Sequence, residues 1–164
     1  MVDPDDDTPL ESRPPTLGDV VSLCRRLNEE GARYIVVGGM AMIQAGFVRA
    51  TEDVDLLIDA SADNVGRVKR ALMSLPDGAA ADVQDEDVSS YVVVRVADEI
   101  VVDLMKAACG IEYAEAQQEV EHVEIDGVSI PFARPELLWR MKETFREKDR
   151  LDRVFPSRLL GRNE

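Results

Sequence analysis

Two aspartates separated by one residue, Asp53 and Asp55, carry the clearest chemical signal of the sequence. The apolar run at residues 56–58 follows them directly and predicts a buried strand. Because successive strand residues point to opposite faces, both carboxylates share one face and lie roughly 6.6 Å apart along it. Carboxylates this close repel each other unless a cation lies between them, and such hard oxygen ligands suit Mg²⁺ or Mn²⁺. The spacing therefore predicts a divalent-metal site.

A glycine pair, Gly38-Gly39, precedes the aspartates and follows the apolar run at residues 34–37. Glycines lack Cβ atoms, so a ligand can approach their backbone closely. The pair lies where a predicted strand leads into a short predicted helix over residues 40–45, and a helix N-terminus attracts phosphate. A phosphate-binding turn next to a predicted metal site indicates nucleoside triphosphate chemistry.

Three other kinds of site with similar motifs are excluded. In aspartate-nucleophile phosphatases the apolar strand precedes the acids, whereas here the run at residues 56–58 follows them. No twelve-residue EF-hand loop with Gly at position six and a terminal Glu follows Asp53. Neither Gly38 nor Gly39 begins the Gly-x4-Gly-Lys-Ser/Thr pattern of a P-loop.

The order of these motifs resembles the signature of the nucleotidyltransferase superfamily with the DNA polymerase beta-like fold. The matching elements are Val37-Gly38-Gly39, thirteen intervening residues, Asp53-Val54-Asp55 and, as the third acid on a later strand, Asp103. The segments GGMA and GFVRATEDVDLLID resemble its small bacterial branch of abortive-infection, type IV toxin-like enzymes. The resemblance covers roughly residues 17–152, and Ala45 departs from it because many relatives carry His there.

This resemblance implies an enzyme that moves a nucleoside monophosphate from a nucleoside triphosphate, such as ATP, to a hydroxyl acceptor and releases pyrophosphate. Two metal ions, Mg²⁺ or Mn²⁺, would assist the transfer. By this resemblance Asp53, Asp55 and Asp103 are the candidate catalytic and metal-binding residues, with Asp103 reaching a second metal. Gly38 and Gly39 are candidate nucleotide-binding residues.

Three further residues are candidate nucleotide ligands. Arg49 and Thr51 lie beside the acid pair, where Arg49 is expected to contact phosphates and Thr51 to fix the loop. Toxin-like relatives carry a C-terminal Lys helix followed by a Lys-Asp motif, which Lys142, Lys148-Asp149 and Asp152 resemble. Lys142 would then reach the triphosphate, because a point cation suits phosphate oxygens. A solvent-facing helix lysine is the competing interpretation.

The elements that must position these residues follow from the patterns along the chain. Residues 16–19 form a capping box before a predicted helix, and residues 61–75 predict another. Residues 91–105 and 120–132 predict two hairpins. Strand, Gly-Gly, helix and strand followed by hairpins predict an α/β nucleotidyltransferase fold, a mixed central sheet with helices mainly on one face.

The last predicted element is an amphipathic helix from Pro135 to Phe155. Its expected core face comprises Leu137, Leu138, Met141, Phe145 and Leu151. Trp139 is expected to pack against the protein, in preference to stacking on a base.

Length and composition predict one domain over residues 16–164 and a disordered, acidic, Pro-rich tail over residues 1–15. No apolar run approaches the roughly 20 residues that span a bilayer, and the N-terminus lacks the features of a signal peptide. Cys24 and Cys109 fit a reducing compartment. The expected location is the cytoplasm, with no membrane partner.

The net charge of −14 is unlike that of non-specific nucleic-acid binders, which must neutralise phosphates. Residues 134–164 nevertheless carry nine Lys/Arg against six Asp/Glu, a net of +3. This segment is either a surface for RNA or triphosphate or a solvated amphipathic helix. The toxin-like resemblance implies a tRNA end or a partner protein as acceptor, within a toxin-antitoxin pair.

A non-enzyme is the alternative interpretation. The same fold would then serve as a non-catalytic binding module or as the antitoxin partner of a cognate toxin. The intact acids favour the enzyme.

Overall fold

The computed structural model of the chain describes residues 12–147 and 153–157. Its helices are α1 (Leu17–Glu29), α2 (Gly38–Gln44), α3 (Ala62–Leu72), α4 (Asp87–Ser90), α5 (Tyr113–Ala116) and α6 (Pro135–Glu147), with 3₁₀ turns at Ala79–Asp82 and Gln117–Glu119. Its strands are β1 (Tyr34–Val37), β2 (Asp53–Ile58), β3 (Val94–Ala97), β4 (Val101–Met105), β5 (Ala107–Ala108), β6 (Ile111–Glu112), β7 (Val120–Ile125), β8 (Val128–Ala133) and β9 (Arg153–Phe155).

A mixed seven-stranded sheet runs through the described residues in the order β7-β8-β1-β2-β4-β3-β9. The pairs β1–β2, β3–β4 and β7–β8 are antiparallel, whereas β1–β8, β2–β4 and β3–β9 are parallel. Both predicted hairpins are confirmed, and the second turns at Asp126-Gly127, where both residues have a positive φ. The predicted mixed α/β class is therefore confirmed.

Strand β1 leads into the glycine pair and strand β2 carries Asp53 and Asp55. Both strands are buried along their whole length. Because strand side chains alternate between faces, both faces of the sheet are covered at this point. The more specific expectation that helices lie mainly on one face stays a prediction.

The first helix begins as predicted from its capping box. The Thr16 hydroxyl accepts from the backbone N–H of Asp19, and an Asp19 carboxylate oxygen accepts from the backbone N–H of Thr16. Its apolar stripe is buried and includes Val20, Cys24 and Leu27. Helix α1 packs against α3 and β8 and so covers the sheet beside β1.

The last predicted helix was too long. Residues 153–155 form strand β9, which pairs with β3 at the edge of the sheet. Leu137, Leu138 and Met141 are buried as expected, but Trp139 is 70% exposed, so the expectation that it packs was wrong. Its neighbours at 138 and 141 point into the core, and residue 139 therefore lies on the outer side of the helix. Residues 148–152, with the Lys-Asp motif, lie outside the described residues.

Two residues of the predicted tail contact the domain. The Ser12 hydroxyl donates to the backbone oxygen of Asp98, and Arg13 forms ion pairs with Asp19 and Glu99. The disordered tail over residues 1–15 and the single domain over residues 16–164 stay predictions. Within the described ranges, no helix combines the length and apolar composition needed to cross a bilayer.

Candidate active site

The predicted acids come together on two neighbouring parallel strands. Asp53 and Asp55 lie on β2, and the register pairs Asp55 directly with Asp103 on β4. Carboxylate oxygens of the three residues all lie within 4.8 Å of one another, and all three residues are buried. The structure therefore brings together the three residues that the sequence separated by up to fifty positions.

This acidic triad, Asp53, Asp55 and Asp103, has the donor chemistry of a divalent-cation site. Carboxylate oxygens are the hard ligands that Mg²⁺ and Mn²⁺ prefer. Buried carboxylates at this separation require compensating positive charge, because their repulsion is poorly screened away from water. The triad therefore fits a divalent cation, with one oxygen available from each residue.

Arg95 is a site residue that the sequence analysis missed. It lies on β3 directly opposite Asp103, its Nε is 2.8 Å from Asp103 Oδ1, and its Nη2 is 3.0 Å from Asp103 Oδ2. The same Nη2 lies 3.2 Å from Asp53 Oδ2. The hydrogen bonds to Asp103, together with the negative charges of Asp103, Asp53 and Asp55, raise the pKa of Arg95 despite its partial burial. The guanidinium thus bridges two of the three acids.

The glycine pair makes room for the acid loop. Gly38 opens α2 with φ +65° and lies against the Asp55 side chain. A β-carbon on Gly39 would lie 2.8 Å from Cβ of Thr51, and Thr51 Oγ1 donates to the backbone oxygen of Asp53 at 3.0 Å. The close approach that the sequence analysis assigned to a phosphate is therefore made in part by the protein's own side chains.

An open cavity of about 620 Å³ leads to the acids. Its polar wall comprises Gly38, Gly39, Arg49, Thr51, Glu52, Asp53, Asp55, Arg95 and Lys142. Its apolar wall comprises Met42, Phe47, Ala50, Pro135, Leu138 and Trp139. All the sequence-predicted site residues except Asp103 line this cavity, and Asp103 lies behind Arg95.

Helix α6 forms the outer wall through Trp139 and Lys142. The Lys142 ammonium lies 3.9 Å from the centroid of the Trp139 ring. Both residues line the cavity because α6 packs against α2, which begins with the glycine pair. Lys142 therefore lines the same cavity as Asp53 and Asp55, and its assignment to a triphosphate stays a prediction.

Comparison with known proteins supports the fold. No model of a known protein family matches the sequence, and no curated protein is significantly similar to it. The structure is similar to the crystal structure of a Thermotoga maritima protein proposed to be a nucleotidyltransferase, with a TM-score of 0.55. The match covers 81% of this chain and 86% of that one at 16% sequence identity. The chain therefore shares the overall fold of that protein.

Proposed function

We propose that the protein is a metal-dependent nucleotidyltransferase that moves a nucleoside monophosphate from a nucleoside triphosphate to a hydroxyl group. The carrying observation is the buried triad, whose oxygens converge within 4.8 Å beside a cavity that also exposes cationic side chains. Anionic and cationic groups in one cavity suit a ligand that arrives as a metal–triphosphate complex. The nucleotidyltransferase-like fold supports the same chemistry.

Acidic and basic residues of the site would have different roles. Asp53, Asp55 and Asp103 would hold divalent cations, which neutralise phosphate charge and lower the pKa of an acceptor hydroxyl when bound. Lys142 and Arg49 would bind phosphate oxygens from the cavity walls. In the transfer, the acceptor oxygen bonds to the α-phosphorus. The bond between the α-phosphorus and the oxygen that bridges it to the β-phosphorus breaks, and pyrophosphate leaves. The hydroxyl proton passes to a base, for which Asp103 is the candidate.

The apolar wall provides a place for the base. Trp139 is largely exposed and lies next to Lys142, so a nucleobase on the indole would place its triphosphate near a cation. Stacking on an aromatic ring is tolerant of sequence because every base has a π-face. Met42, Phe47 and Leu138 extend the apolar surface without offering hydrogen bonds to base edges. The site would thus bind a base by stacking, without strong choice among bases.

For the acceptor we propose a macromolecule, either a tRNA end or a partner protein. The toxin-like resemblance of GGMA and GFVRATEDVDLLID supports it, as does the net charge of +3 over residues 134–164. Lys142 belongs to this segment and lines the cavity. An otherwise acidic surface would repel RNA elsewhere and direct it to this wall. A place in a toxin-antitoxin pair belongs to the same proposal.

One observation favours the second candidate, a non-catalytic binding module. Arg95 already neutralises part of the triad, and a site neutralised by arginine could hold its fold without any cation. The two candidates differ in turnover and in response to metal. A binding module would take up nucleotide with no pyrophosphate released.

Turnover with labelled nucleotides tests the proposal. Purified protein with Mg²⁺ or Mn²⁺, each α-labelled nucleoside triphosphate, and total tRNA or a lysate should yield a labelled macromolecule and pyrophosphate. Asp55→Asn should abolish labelling and metal binding with little change in far-UV circular dichroism. Asp126→Asn, in a surface turn with positive φ that Asn tolerates, is the matched control and should label fully. Full activity of the Asp55→Asn protein would contradict the scheme.

A further inference from the structure

Arg95 holds the oxygens that a cation would need. Its forked contact with Asp103 has both hydrogen bonds at 3.0 Å or less, and the same guanidinium reaches Asp53 at 3.2 Å. A planar guanidinium binds a carboxylate through two parallel hydrogen bonds, which makes this a strong, directional contact. A divalent cation shared by Asp53 and Asp103 would lie in the same place.

Arg95 competes with a cation for Asp103. The Asp103 side chain is fully buried and does not line the cavity, whereas the Arg95 side chain is 27% exposed and does. Because the guanidinium already contacts both Asp103 oxygens, a cation that enters through the cavity competes with it for them. Two cationic groups at the same pair of carboxylates also repel each other.

A displaced guanidinium needs a new anion. Leaving its charge partly buried without a partner is costly, so Arg95 moves readily only if another anion replaces the carboxylates. A triphosphate in the adjacent cavity supplies one, because the guanidinium fork matches phosphate oxygens as well as carboxylates. Arg95 already forms part of the cavity wall, so the exchange requires a change of side-chain rotamer within the same site.

We infer that Arg95 occupies the cation position of Asp53 and Asp103 in the metal-free protein and becomes a triphosphate ligand when the cation binds. This inference rests on the proposed function. Metal and triphosphate then bind cooperatively, because each removes the obstacle to the other. The protein alone holds metal weakly, and the metal–triphosphate complex is the form that it selects.

Binding measurements on Arg95→Met test the inference without any turnover. By calorimetry in the absence of nucleotide, Arg95→Met should bind Mn²⁺ about tenfold more tightly than wild type, equivalent to roughly 1.4 kcal/mol. In excess Mn²⁺, the same variant should bind inorganic tripolyphosphate about tenfold more weakly, because it lacks the phosphate ligand. Arg70→Met, which removes a surface ion pair with Glu30 on another face, should leave both affinities unchanged.

The exchange of Arg95 from carboxylates to phosphate predicts that the Mn²⁺ and tripolyphosphate affinities change in opposite directions. If Arg95 were merely structural, its removal would weaken both. If Arg95→Met does not fold, Arg95→Gln is judged on the same two signs, because glutamine removes the charge and keeps a hydrogen-bond donor for Asp103. Mn²⁺ affinity that is unchanged or weaker in the variant overturns the inference and leaves the proposed function standing, provided that wild type still binds metal through Asp55. Failure of both wild type and variant to bind Mn²⁺, with or without tripolyphosphate, overturns the proposed function as well.

Discussion

Gly38 lies so close to Asp55 that a β-carbon on the glycine would come 2.9 Å from Cγ and 3.0 Å from Cβ of the aspartate. Rotating the carboxylate alone cannot relieve such contacts, because the aspartate's own Cβ is involved. Gly38 also has φ +65°, where an alanine is strained. Gly38→Ala should therefore displace Asp55, abolish Mn²⁺ binding and lower the free energy of unfolding by about 3 kcal/mol.

Gly127 is a control that separates the steric contact with Asp55 from the strain of a positive φ. Gly127 has φ +78° but nothing lies within 4 Å of the position that its β-carbon would take. Gly127→Ala should cost only the conformational part, about 1 kcal/mol, and leave Mn²⁺ affinity unchanged. Chemical denaturation and calorimetry measure both quantities. Equal losses of stability in the two variants, with metal binding intact, would show that Asp55 tolerates the added carbon.

Trp139 is predicted to recognise the base. It is the chain's only tryptophan and lines the cavity, so nucleoside triphosphate with Mg²⁺ should change the intrinsic fluorescence of the protein. Trp139→Ala should weaken ATP and GTP binding by calorimetry about tenfold, since stacking contributes roughly 1–3 kcal/mol per base. Binding of tripolyphosphate should not change, because it has no base. A similar loss for tripolyphosphate would instead assign the tryptophan to the phosphates or to the fold.

Lys142 is predicted to bind the triphosphate and, if the acceptor is RNA, to attract that RNA. Lys142→Glu should suppress labelling of a macromolecular acceptor, whereas Arg25→Glu on α1, away from the cavity, should not. Labelling of tRNA by wild type should also fall as salt is raised, because ionic contacts with phosphates release counterions. Labelling that is confined to small metabolites and insensitive to both changes would refute the acceptor proposal while leaving the metal chemistry intact.

Acid sensitivity is predicted at the start of α1. The hydrogen bond from Arg13, aided by those from Thr16, lowers the pKa of Asp19 from 3.8 to about 2. A carboxyl group with a lowered folded-state pKa stabilises the protein above its unfolded pKa, and this contribution disappears as the pH falls toward the folded value. Asp19→Asn should cost about 1 kcal/mol at pH 7, discounted for exposure. Urea unfolding should show this difference shrinking below pH 4, and a difference independent of pH would contradict the assignment.

Two members of the acidic triad could be predicted because their signal is local. Asp53 and Asp55 share a strand face by simple alternation, and the resemblance supplied Asp103. Arg95 was missed because the two apolar runs predict a turn at Ala97-Asp98, which would pair residue 95 with residue 100. The observed pairing of Ala97 with Val101 shifts the register and sets Arg95 opposite Asp103.

The strand that follows α6 could not be predicted from local sequence. Residues 142–153 are mostly polar, with Phe145 and Leu151 at helical spacing, and nothing in their own pattern marks the start of a strand. Strand β9 exists because β3 offers a free edge, which is a property of the assembled sheet. Exposure of Trp139 was within reach of helical periodicity, since buried Leu138 and Met141 fix the orientation of the helix.

The parallel pairings β1–β8, β2–β4 and β3–β9 join segments that are far apart along the chain. Such pairings close long loops before their contacts form, so they are slow steps in folding. Asp55 and Asp103 meet only across one of them. A chain still emerging from the ribosome would therefore have no acidic triad until β4 is made, and no complete cavity until α6 follows. During refolding, affinity for Mn²⁺ should return only with the slowest phase, so that partly folded chains remain inert toward nucleotides.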